Sequence, residues 1–88
     1  MKSLEVNNTA IDLSIQDAPF LPNYTVVAIN TSAESRVIQG SVDAAFTSPV
    51  TLATLTAAGL ASSIQTITPT YQYIRTSAAA DPIWLLGN

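Results

Sequence analysis

Few residues of this chain could do chemistry, and most of them stand apart. The tightest grouping is "GSVDAAF", Gly40 to Phe46, where a hydroxyl and a carboxylate lie two residues apart just ahead of an aromatic ring. Ser41 as a nucleophile needs an adjacent base, yet the chain has no His and no Cys, and Lys2 is its one lysine. Asp43 as a Ca2+ ligand would need six to eight oxygens from several groups, and no other carboxylate stands near it in sequence. The favoured reading is a strand end and turn built by Gly40, Ser41 and Asp43. The Asp43 carboxylate would accept from backbone N–H groups just ahead of it, and Phe46 would fold back over a sheet. Asp12 and Asp17 read as surface or turn carboxylates with no further role. Neither catalysis nor a bound metal or cofactor is expected, since zinc in particular has no His or Cys to hold it.

A second group is "YQYIRTS", which as a strand puts Tyr71, Tyr73 and Arg75 on one face. Arg75 there can stack on Tyr73, pair with a carboxylate such as Asp43, or act as an edge charge that blocks unwanted strand pairing. The tyrosines read as core and rim packing with wet hydroxyls, against the alternative of a platform for a sugar ring. Trp84, in the apolar stretch "PIWLLGN", buries on the order of 150–250 Å2 wherever it lands. It either caps its own domain or enters a neighbouring subunit.

The elements that must carry these side chains are strands. Pro19, Pro22, Pro49, Pro69 and Pro82 fall between apolar-patterned segments, where the missing N–H is tolerated. Between them the period is two. Ile11, Leu13 and Ile15 alternate with Asp12 and Ser14, a strand with one buried face that Leu4 and Val6 extend or pair with across Asn7-Asn8. "YTVVAIN", Tyr24 to Asn30, is apolar on both faces and predicts a strand covered on both sides. "RVIQGSV" follows a polar loop. "VTLATLT", Val50 to Thr56, reads as strand from its Thr and β-branched content, although Leu52 and Leu55 would also suit a short helix. "SIQTIT", "YQYIRTS" and "PIWLLGN" complete the series. The pattern predicts an all-β fold, a single small antiparallel β-sandwich of six or seven short strands, jelly-roll-like, with residues 1–88 as one domain.

Composition says how such a domain keeps itself stable. Eighty-eight residues bury only about 60–65% of the surface the unfolded chain exposes, and with no disulfide or metal available, oligomerisation is the remaining support. Charged residues make up 10% of the chain, against roughly 25% in an ordinary soluble domain. A surface so poor in charge guards badly against association. The net charge of −3, with three basic residues, excludes a nucleic-acid footprint. No apolar run reaches the roughly 20 residues of a membrane-spanning helix. The N-terminus shows no signal-peptide pattern, which predicts synthesis in the cytoplasm. The candidate interface comprises Val26, Val27 and Ile29, the aromatic strand Tyr71, Tyr73 and Arg75, and the C-terminal Ile83, Trp84, Leu85 and Leu86. Residues 1–8 and 82–88 are expected to act as subunit-contacting arms.

From Val37 to Ala79 the order "QGSVDAAF…LATLTAAG…TPTYQYIRTSA" resembles a pattern of small phage virion proteins: a Gly-Ser-x-Asp strand end, an aromatic, a Thr-rich strand, then Tyr-x-Tyr-Ile-Arg. It is also similar to part of the discoidin-like, galactose-binding β-sandwich domains. Phe46 stands where the pattern more often has Trp, and Asp43-Ala44 where it often has Asp-Gly. The resemblance implies a capsid decoration (cement) protein on the outer surface of a virion, made in the host cytoplasm, touching the major capsid protein and itself, as a trimer about symmetry axes. A head-fibre or tail-associated adhesin gripping host glycans is the alternative, and a connector or other minor virion component a third.

Overall fold

In a computed structural model describing residues 1–77 and 82–88, eight strands form two four-stranded antiparallel sheets. They are β1 (Lys2–Val6), β2 (Ile11–Asp12), β3 (Val26–Ile29), β4 (Arg36–Ser41), β5 (Val50–Leu55), β6 (Ile64–Ile67), β7 (Tyr73–Thr76) and β8 (Ile83–Gly87). One sheet runs β1-β8-β3-β6 and the other β2-β7-β4-β5. Four ladders join β1 to β8, β2 to β7, β3 to β6 and β4 to β5. The chain is therefore one long hairpin, its tip between β4 and β5, rolled so that β3 also meets β8 and β4 meets β7. That is the strand order of a jelly roll. The all-β sandwich expected from the period-two pattern is what forms, with eight strands in place of six or seven.

The extra strand count has a local cause. Leu4 and Val6 belong to β1, which lies in the opposite sheet from Ile11, and the chain crosses between sheets at Asn7–Ala10. The expected strand through Leu13 and Ile15 stops after Asp12. The Asp12 carboxylate accepts from the Ser14 backbone N–H at 2.9 Å and caps a 3-10 turn at Leu13–Ile15. Leu13 then enters the core, while Ile15 is 77% exposed. A second 3-10 turn, Ala61–Ser63, precedes β6.

Val50–Leu55 is strand, as its Thr and β-branched content predicts. Its register slips by one residue, Ile38 opposite Ala53 but Gln39 opposite Thr51, so Leu52 is an inserted bulge residue. The bulge breaks the period of two and leaves Leu52 and Leu55 at the spacing that also fits a helix.

The core fills the space between the sheets with Val6, Leu13, Val26, Ala28, Ile38, Leu55, Ile74, Ile83 and Leu85, all buried. Two glycines allow close approaches. A Cβ on Gly87 would run into the Pro19 ring, and one on Gly40 would come within 2.7 Å of the Tyr71 ring. Asn30, 2% exposed, ties the end of β3 to three other segments. Its amide donates to the Glu34 carbonyl at 2.8 Å and the Thr56 carbonyl at 2.9 Å, its Oδ1 accepts from the Ser32 N–H at 2.9 Å, and its own N–H donates to the Ser63 carbonyl at 2.9 Å.

Candidate interaction faces

The hairpin tip holds the stretch from Ser41 to Phe46. Ser41 is the last residue of β4, buried, and its Oγ donates to Asp43 Oδ1 at 2.8 Å while accepting from the Asp43 N–H at 3.2 Å. The Asp43 carboxylate accepts from the Thr47 N–H at 3.3 Å and the Thr47 hydroxyl at 2.8 Å, and the Phe46 N–H donates to the Asp43 carbonyl at 3.1 Å. Hydrogen bonds from Ser41 and Thr47 hold the Asp43 carboxyl below its ordinary value. Asp43 thus organises the turn, as expected, and among the described residues no cluster of three or more acidic, His or Cys side chains could hold a metal. The positive-φ position falls on Phe46, at +52°.

Gly40 is the exception in this group. It lies within β4 opposite Ile74, away from the turn, and its missing side chain makes room for Tyr71.

The aromatic strand divides differently from its sequence pattern. Tyr73 and Arg75 lie on the outer face of β7, opposite Ser41 and Gln39, whereas Tyr71 precedes the strand and tucks against Gly40 on the core side. Arg75 stacks over Phe46, 4.2 Å from its ring centroid, and donates from Nε to Gln39 Oε1 at 3.1 Å. This corrects three expectations for Arg75. It stacks on Phe46 instead of Tyr73, its polar partner is Gln39 instead of Asp43, and β7 is an interior strand, so it is no edge charge. Beside Tyr73 lies Asp12, which accepts from the Ser14 hydroxyl at 2.6 Å. The Gln72 amide lies 3.4 Å from its carboxylate. Bonding from Ser14, and to a lesser degree from Gln72, keeps the Asp12 carboxyl below its ordinary value. The outer face of this sheet is therefore mostly polar, carrying Asp12, Tyr73, Arg75, Gln39, Thr51 and Thr54, with Val37 opposite Thr54.

The other sheet presents the opposite chemistry. Cross-strand partners share a face, so the ladders define two outward rows: Ile64, Ile29, Trp84, Glu5 and Thr66, Val27, Leu86, Ser3. Four apolar side chains, Val27, Ile29, Trp84 and Leu86, occupy the two central strands, half-buried against one another, and Ile64 beside them is 57% exposed. Glu5, on the edge strand β1, is the single charge in the two rows.

Of the sequence-predicted interface, Val27, Ile29, Trp84 and Leu86 come together on this face. Val26, Ile83 and Leu85 do not. At 3%, 0% and 1% exposure they point into the chain's own core and have no surface to offer a neighbour. Trp84 points outward on β8, away from the core, and is only partly exposed on its own chain. Within residues 1–8 and 82–88, Lys2–Val6 and Ile83–Gly87 are paired with each other as β1 and β8, and β8 is an interior strand. The Ile64 contribution was missed because the alternation in "SIQTIT" is imperfect, although a β-branched residue one step out of phase is the signal.

Charge is distributed as unevenly as polarity. No Asp, Glu, Lys or Arg occurs between Asp43 and Arg75, so the margin formed by β5, the 3-10 turn and β6 is uncharged, with Val50 and Leu60 exposed. The opposite margin, β1 and β2, carries Lys2, Glu5 and Asp12. An apolar dimple lined by Pro19, Phe20, Leu21, Tyr24 and Pro69 has no enclosed space large enough for a water molecule, against the roughly 300–1,000 Å3 of ligand pockets. Among the described residues no helix is long and apolar enough to cross a membrane. Comparison of the chain with family models, with curated proteins and with solved structures finds no match.

Proposed function

We propose that the protein is a virion structural subunit, a capsid decoration (cement) protein that braces the outer shell through contacts with the major capsid protein and with copies of itself. The observation that carries this reading is the outward apolar face built by the partly exposed Val27, Ile29, Trp84 and Leu86 and the exposed Ile64. A small sandwich that leaves such a face in water, with one carboxylate at its rim, is shaped to be covered by protein. The uncharged margin at β5 and β6 is a second surface of the same kind. Jelly rolls serve in viral capsids and in lectins, an analogy of fold that adds support only beside the surface chemistry. The test is copy number in purified particles. Hundreds of copies per particle are expected, a few would mark a fibre or connector, and none would end the reading.

One observation favours a second reading, a glycan-binding module. Tyr73 is half-exposed with the Asp12 carboxylate and the Gln72 amide beside it, an aromatic ring with polar groups of the type that holds a sugar. Binding to immobilised glycans that is lost in Tyr73→Ala would favour it.

A further inference from the structure

We propose that the apolar face of the β1-β8-β3-β6 sheet is closed by a second copy of this chain, the two sheets packed face to face about a two-fold axis that runs along the strands. The inference rests on the reading of the chain as an assembly subunit and names what covers this face. Size fits first: the molecule measures 31 × 30 × 17 Å, so each broad side is bounded by a rectangle of at most roughly 900 Å2, the scale of the about 800 Å2 per partner in a standard stable interface. A sheet is also a natural cover for another sheet, at about 10 Å separation.

The layout of the face selects the symmetry. An isologous contact must be self-complementary. With the axis between β8 and β3, parallel to them, each row meets its own reverse: Trp84 lies over the partner's Ile29, Leu86 over the partner's Val27, and Ser3 over the partner's Thr66. The four central apolar side chains meet four others, while on the rim Ser3 faces Thr66 and Glu5 faces the partner's Ile64. The two Glu5 carboxylates are then separated by about three strand spacings, roughly 14 Å, beyond the Debye length of about 8–10 Å at ordinary salt. An axis across the strands would instead set β1 on β1 and bring these like charges together. A trimer, by contrast, leaves a face of this kind in need of some other cover.

Sedimentation over a wide concentration range, on the wild-type chain and on Trp84→Ala and Val27→Lys, tests the contact, with circular dichroism to confirm that each variant keeps its β fold. A reversible dimer is expected, with its dissociation constant raised at least about 30-fold in either variant, the scale of an interface hot spot. Thr54→Lys, on the outer face of the other sheet, should leave it unchanged. Should either apolar-face variant fail to fold, geometry is read separately. The native chain has no cysteine, so Ser3→Cys and Thr66→Cys, both at exposed positions, can be mixed and treated with a short bis-maleimide. Cross-links between the two different variants are expected in preference to links within either. A monomer at all concentrations, a trimer, a dimer insensitive to the apolar-face variants, or cross-links confined to like variants would overturn the inference. Copy number in particles is measured independently, so a failure here leaves the proposed function standing or falling by its own experiment.

Discussion

Asn30 shows how one residue can hold a rolled hairpin together. Its amide spans the end of β3, the loop leading to β4 and the end of β5, and every polar atom of the side chain is engaged. Asn30→Asp keeps the shape but replaces a donor by an oxygen facing the Glu34 and Thr56 carbonyls. A buried acceptor facing two acceptors costs about 1–3 kcal/mol, more when charged. Burial and those carbonyls would raise the introduced carboxyl above its ordinary value. Protonation restores a donor, so the deficit should shrink as pH falls from 7 to 5. Urea unfolding at the two pH values checks this, with Asn30→Ala as the reference. An aspartate variant more stable than the alanine variant at pH 7 would contradict it. The sequence does not mark Asn30 for this part: Ser32 and Glu34 lie 2 and 4 positions away, but Thr56 and Ser63 lie 26 and 33 away and converge only when the sheets stack.

Among the elements, what was legible followed from side-chain period and what was not followed from stacking. The strands, the Asp43 turn and the folding back of Phe46 could be read locally. The bulge at Leu52, the split of Tyr71 from Tyr73, and the place of β8 as an interior strand depend on neighbours remote in sequence. The hairpin tip therefore makes a testable unit. The folded state holds the Asp43 carboxyl below its ordinary value of 3.8, so its contribution is fully present above that value and is lost as pH falls through the lowered one. Protection of the Thr47 amide against hydrogen exchange should be constant from neutral pH to about 4.5 and decline below it. Asp43→Asn retains an acceptor but has no charge to lose, and should show no such step. Equal acid-induced loss in both proteins would show that Asp43 does not control the loop.

On the scale of the whole molecule, the unequal distribution of charge decides which forces act between copies. The apolar face has one carboxylate at its rim, and the margin from β5 to β6 has no charged residue at all. Attraction between charged surfaces falls away as salt shortens the screening length from about 10 Å at 0.1 M to about 3 Å at 1 M. Burial of apolar surface is not screened, and a salt excluded from protein surfaces, such as sulfate, strengthens it. Self-association, and attachment to shells if the protein is a decoration subunit, should therefore persist in 1 M NaCl and tighten in sodium sulfate. The melting temperature should rise with protein concentration, as it must when the folded state alone associates. Sedimentation and thermal unfolding across both salts measure these effects directly. Dissociation at moderate NaCl would place the contact on the polar face around Asp12, Tyr73 and Arg75, where the charges of the other sheet are gathered, and would require the apolar face to be bare in the working protein.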